Sequence, residues 1–73
     1  MALQAQHLKI TVNGSPLQIT EEMTVAALLQ QLELDPALVA VERNLEIVPK
    51  SEYSTRKVVA GDSIEIVHFV GGG

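Results

Sequence analysis

At 73 residues the chain has room for one small domain, and with 47% hydrophobic residues but only Tyr53 and Phe69 aromatic, its core must be aliphatic. A net charge of −4, with Lys9, Arg43, Lys50, Arg56 and Lys57 diluted by acids, excludes a nucleic-acid binder, which needs clustered cations to displace counterions from phosphates. The lack of cysteine excludes disulfides, thiolate catalysis and thiolate metal sites. A domain this short has little space to enclose an active site, so a carrier or binding partner is expected rather than a self-sufficient enzyme. Met1 to Gln6 have neither a basic stretch nor an apolar core of the secretory kind. No run approaches the roughly 18 apolar residues of a membrane span. The expectation is a soluble, cytoplasmic protein without nucleic-acid or membrane partners. Most of its acids read as solubilising, although an acidic face would favour encounter with a basic protein surface.

The first predicted element is a hairpin. Leu8, Ile10 and Val12 alternate with Lys9 and Thr11, and Leu17 and Ile19 flank Gln18. Asn13-Gly14 between them is the strongest short hairpin signal, because both residues tolerate positive φ. Strands are expected near 7–12 and 16–20. A helix follows over 25–34, with Thr24 as N-cap, Val25, Leu28, Leu29 and Leu32 on one face, and Asp35-Pro36 as the stop. Glu21 and Glu22 just ahead of it suit the positive end of the helix dipole better than they suit a paired catalytic site. Val39 to Arg43 read as a strand, Asn44 as a turn and Glu46 to Val48 as a short strand closed by Pro49. Residues 50–57 read as a polar loop with room for one helical turn. Gly61-Asp62 is a second turn signal after Val58-Val59, and Ile64 to Val70 form the last strand. A hairpin, one helix and later strands make an α+β domain, a mixed sheet with the helix on one face.

The chain then ends in Gly71-Gly72-Gly73. Residues 1–70 are read as the folded domain and 71–73 as a flexible tail, since glycine loses more backbone entropy on ordering than any other residue. Extended, three residues reach roughly 10 Å at about 3.3–3.6 Å each. That is enough to carry one carboxylate into another protein's narrow site. A frayed terminus or an expression remnant is the plain alternative. Val67 and Phe69 fall in the strand phase opposite Ile64 and Ile66, so they are expected to be exposed beside the tail, where they suit docking. His7 and His68 are isolated and show no metal-ligand spacing. Arg43 reads as a solvated cation, and Asn13-Gly14 as a turn rather than a phosphate loop.

Several stretches together carry a family resemblance. They are Val12-Asn13-Gly14; Met23-Thr24-Val25 with Leu28-Leu29 and Leu32; Val39-Ala40-Val41-Glu42-Arg43-Asn44; Ile47-Val48-Pro49; Gly61-Asp62 with Ile64-Glu65-Ile66-Val67; and the ending Phe69-Val70-Gly71-Gly72-Gly73. In their order, spacing and ending, from about Leu8 to Gly73, the chain resembles the ThiS family of sulfur carriers in thiamine biosynthesis. None of these stretches is specific by itself.

The resemblance implies a ubiquitin-like β-grasp fold and a non-enzymatic carrier. The Gly73 carboxylate, with Gly72 beside it, would be adenylated by a ubiquitin-activating-like adenylyltransferase that uses ATP. A persulfide donor would then supply sulfur to form a terminal thiocarboxylate, and thiazole synthase would consume it. Val67, Phe69, Val70 and Gly71 would meet these partners. No stably bound cofactor and no metal are implied, and the free carrier would be a monomer. Residues 1–6 and the third glycine depart from the pattern expected of the family. Other β-grasp sulfur donors remain open, such as the small subunit of molybdopterin synthase or a tRNA-thiolation carrier. So does a ubiquitin-like interaction or conjugation module.

Overall fold

The computed structural model describes residues 7–69. The opening hairpin forms as its sequence dictates. Strand β1 (Leu8–Val12) pairs antiparallel with β2 (Ser15–Ile19), and Val12 faces Ser15 across a two-residue turn. Asn13 and Gly14 hold φ of 51° and 82°, the left-handed pair that matches the twist of the strands they join. A second two-residue hairpin joins β4 (Val39–Arg43) to β5 (Glu46–Val48), with Arg43 facing Glu46. Here the left-handed pair is Asn44 and Leu45, at φ 53° and 72°. Leucine at such a position costs about 1–2 kcal/mol.

The two hairpins flank β7 (Ser63–His68), and the sheet order is β2-β1-β7-β4-β5. Strand β7 runs parallel to β1 and antiparallel to β4, so the sheet is mixed and its last strand is its central one. The alternation expected of β7 holds. Ile64 and Ile66 are buried, while Glu65 and Val67 face outward. On the inner face α1 (Val25–Gln31) contributes Val25, Leu28 and Leu29, all at most 1% exposed, to a core shared with Ile10, Val41 and Ile64. A mixed sheet with one main helix on one face is the β-grasp arrangement expected above.

Two expectations about the elements need correction. The helix ends at Gln31, not at residue 34. Glu33 takes φ 60°, its N–H bonds the Gln30 carbonyl at 3.0 Å, and the Leu34 N–H bonds the Leu29 carbonyl at 2.9 Å. This paired closure satisfies the last carbonyls and seats Leu34 against the core, well before Asp35-Pro36 could act. Glu21 and Glu22 stand ahead of the helix, as expected, and its first turn contains no acid. The orphan N–H groups there have other partners: Thr24 Oγ1 accepts from Ala27, and the Arg56 and Tyr53 carbonyls accept from Val25 and Ala26 at 2.9 and 2.7 Å. The last strand stops at His68 rather than Val70, and Val70 lies outside the described residues.

The loop over 50–57 therefore has a structural task. It contains one 3-10 turn (Lys50–Glu52), closes the helix N-terminus with its carbonyls, and buries Tyr53 at 5% exposure. It leads into β6 (Lys57–Val58), which pairs with β3 (Met23–Thr24) in a small second sheet that the sequence pattern does not announce. Arg43, expected to be solvated, is instead ion-paired with Asp62 at 2.7 Å.

Candidate functional site

The candidate site is the end of β7 and the surface around it. Hydrogen bonds hold this strand on both sides. Its ladder with β4 runs from Arg43↔Ile64 to Val39↔His68, and the Phe69 N–H extends it by donating to the Leu38 carbonyl at 2.8 Å. On the other side the Asn13 N–H donates to the Ile64 carbonyl at 2.8 Å, and the Thr11 N–H to the Asp62 carbonyl at 3.0 Å. The strand thus emerges from the middle of a rigid sheet, and its direction at Phe69 is set before the glycines begin.

The surface at that point is apolar. Val67 and Phe69 are 61% and 53% exposed, and Leu38, bonded to Phe69 through its carbonyl, is 51% exposed. The exposure expected of Val67 and Phe69 is what the fold produces. Lys50 reaches over this patch, with its ammonium 5.0 Å from the Phe69 ring centroid and 2.9 Å from the Ala37 carbonyl it donates to. Further along the same outer face, Glu42 and Glu65 stand directly opposite each other. On β5 the exposed Ile47 stands opposite Glu42, so these two acids lie between apolar side chains on this face. Val70, Gly71, Gly72 and Gly73 lie outside the described residues, as do Met1 to Gln6.

At the opposite end of β7 the sheet is anchored by a buried carboxylate. Asp62, 4% exposed, accepts from Arg43 Nε at 2.7 Å, Arg43 Nη2 at 3.3 Å, Asn44 Nδ2 at 3.0 Å and the Val59 N–H at 2.8 Å. Burial by itself pushes this carboxyl up. The hydrogen bonds from Arg43, Val59 and Asn44, with the Arg43 charge, outweigh that and hold it below the ordinary aspartate value. Its oxygens are committed, so the shallow concavity of about 320 Å³ that it lines with Lys9, Ile10, Thr11, Pro16 and Gly61 offers no free carboxylate. Tyr53 donates to the Val39 carbonyl at 3.3 Å, and burial raises its hydroxyl pKa. Among the described residues no group of three His, Asp or Glu side chains is placed to hold a metal. His7 and His68 are both exposed, one at each end of the described chain.

Two groups with clear tasks are missing from the sequence reading. Asp62 was legible only as half of a turn, and its signal would have been a lone acid between two apolar strands with Arg43 facing the start of the second. Asn13 also does more than turn the chain, because its side-chain amide bonds β7.

The ThiS family model matches residues 10–73, most of the chain including the glycine ending. The chain belongs to the ThiS family. Within it, the chain is 40% identical to the sulfur carrier protein ThiS of Bacillus subtilis, over 88% of this chain and 98% of that one. It is 53% identical to part of a thiazole synthase from Paramagnetospirillum magneticum, over 90% of this chain but 20% of the relative. The chain spans about a fifth of the length of this relative and of a second thiazole synthase, from Magnetococcus marinus. A crystal structure of ThiS from Geobacter metallireducens superposes with a TM-score of 0.80 at 33% identity, covering 90% of this chain and all of that one. ThiS membership and the β-grasp fold, both expected from the order of the motifs, hold.

Proposed function

We propose that the protein is a sulfur carrier for thiazole formation, with the Gly73 carboxylate as its working group. The observation that carries this reading is the ThiS family match running through Gly73 on a fold whose central strand leads to the glycine ending. A carboxylate is a poor acyl donor. Adenylation with ATP by a partner enzyme replaces one carboxylate oxygen's charge with an AMP leaving group and releases pyrophosphate. The terminal sulfur of a persulfide then attacks the carbonyl and AMP departs as a phosphate anion; a thiol cleaves the resulting acyl disulfide, ending in a disulfide with the donor's inner sulfur and releasing the thiocarboxylate. A terminal residue without Cβ leaves the carbonyl open on both faces.

Thiazole synthase as the sulfur acceptor is supported by the two relatives of that name in which a segment like this chain occurs. The surface offered to the adenylyltransferase is the exposed Leu38, Val67 and Phe69 patch. In sequence, Val70 and Gly71 follow Phe69 and precede the two glycines at the reacting carboxylate, and they are assigned to the same partner contact. The flanking Glu42 and Glu65 favour a partner with a cationic rim. This chain supplies position and a single acyl group, and the chemistry belongs to its partners in the cytoplasm.

Gly73→Ala tests the working group. It adds a methyl beside the reacting carbon; the expected outcome is an unchanged thermal unfolding midpoint with loss of thiocarboxylate formation by the adenylyltransferase. A Gly73→Ala protein that is thiocarboxylated and delivers sulfur normally would remove Gly73 from its assigned role.

A further inference from the structure

The Asn13 side chain acts as an extra rung of the β1–β7 ladder. Its Oδ1 accepts from the Ile66 N–H at 2.7 Å, and its Nδ2 donates to the Ile66 carbonyl at 3.2 Å. One primary amide thus imitates a backbone peptide group, satisfying both polar groups of a buried strand residue. The same amide is followed by Gly14, which has no side chain to shield its N–H and around which the structure is open. Asn13 is itself solvent-exposed. The group that pins the terminal strand is therefore placed in the dipeptide context where backbone attack on an amide meets least obstruction.

We propose that Asn13 is a deamidation site gated by β7. The Gly14 nitrogen, losing its proton, bonds to Asn13 Cγ; the Cγ–Nδ2 bond breaks and Nδ2 leaves as ammonia with that proton. Solvent water then opens the cyclic imide at one carbonyl or the other, leaving aspartate or isoaspartate at position 13. Ring closure requires Cγ to leave its place against Ile66, and departure of Nδ2 removes the donor to the Ile66 carbonyl. While β7 is paired, both amide atoms are held and reaction waits on local opening. After reaction, a carboxylate oxygen faces the Ile66 carbonyl oxygen where an N–H had bridged to it. The modification thus loosens the strand that leads to the glycine tail. This inference stands on the hydrogen bonds of Asn13 and does not depend on the sulfur-carrier reading.

The test is to hold the protein at neutral pH and physiological temperature, folded or in urea, and to follow the peptide containing Asn13. Its mass reports amide-to-acid exchange, and an isoaspartate-specific methyltransferase reports the rearranged product. The expected result is conversion in urea and conversion more than about tenfold slower in the folded protein, as local opening requires. Equal rates would overturn the gating, and no conversion in urea would overturn the site. Asn13→Asp and Asn13→Ala test the consequence by their urea midpoints. Both fall, and Asp, which keeps an acceptor for the Ile66 N–H, falls at least as far as Ala because its second oxygen meets the Ile66 carbonyl. An Asn13→Asp protein as stable as the unmodified one would overturn the claim that deamidation loosens β7.

Discussion

The residue that most repays a change is Asp62. It is buried, it accepts four hydrogen bonds, and it ties the β4–β5 turn to the start of β7. Asp62→Ala leaves Arg43 and Asn44 without their shared acceptor and is expected to cost about 3 kcal/mol in urea unfolding. That is a large share for a domain whose stability is of order 0.05–0.15 kcal/mol per residue. The carboxyl is held below the ordinary value, so its contribution is full above about pH 3.9 and is lost as pH falls through the folded value. Asp62→Asn should therefore flatten the acid limb of the stability profile; an unchanged acid limb would mean the carboxylate carries no such load. Little of this was legible in the sequence. Gly61-Asp62 marks a turn, and nothing in one-dimensional spacing says that Arg43, 19 residues earlier, faces it across the sheet. Asn13 was legible as a turn residue for the same local reason, whereas its bonds to Ile66, 53 residues away, follow only from pairing of the first and last strands.

At the scale of elements, strong periodicity was legible and short elements were not. The alternation in β1, β4 and β7 and the Asn13-Gly14 turn place these strands within a residue or two. Strands β3 and β6 have two residues each, too few for any period, and they pair with each other immediately before the helix begins. The helix end was misplaced because Asp35-Pro36 is the stop visible in the sequence, while Glu33 turns left-handed ahead of it. That position asks for glycine. Glu33→Gly should raise stability by about 0.5–1 kcal/mol by removing left-handed strain, despite glycine's greater unfolded-state entropy. A thermal midpoint that falls instead would show that the Glu33 backbone is not the strained element.

For the whole molecule, the strand at the centre of the sheet carries the exposed Val67 at its end, with Phe69 just beyond it. Val67→Ser with Phe69→Ser removes exposed side chains only, so unfolding should be nearly unchanged. The KM of the adenylyltransferase for this protein should rise at least about fivefold, the effect of losing one interface anchor. An unchanged KM would move the docking surface elsewhere. The carrier reading was legible because family order, spacing and the glycine ending lie along the sequence itself. The exposed apolar patch, which is proposed for docking, was legible only in part: Val67 and Phe69 follow from strand phase, but Leu38 joins them through the Phe69 N–H bond to its carbonyl at the end of the β4–β7 pairing.

The central claim concerns the Gly73 carboxylate, and intact mass tests it most directly. The protein is incubated with ATP, a persulfide donor with a thiol reductant, and the adenylyltransferase, then weighed and fragmented from its C-terminus. The account predicts a gain equal to exchange of one oxygen for sulfur, located at Gly73. No gain, with an adenylyltransferase that thiocarboxylates another ThiS protein in parallel, would contradict it.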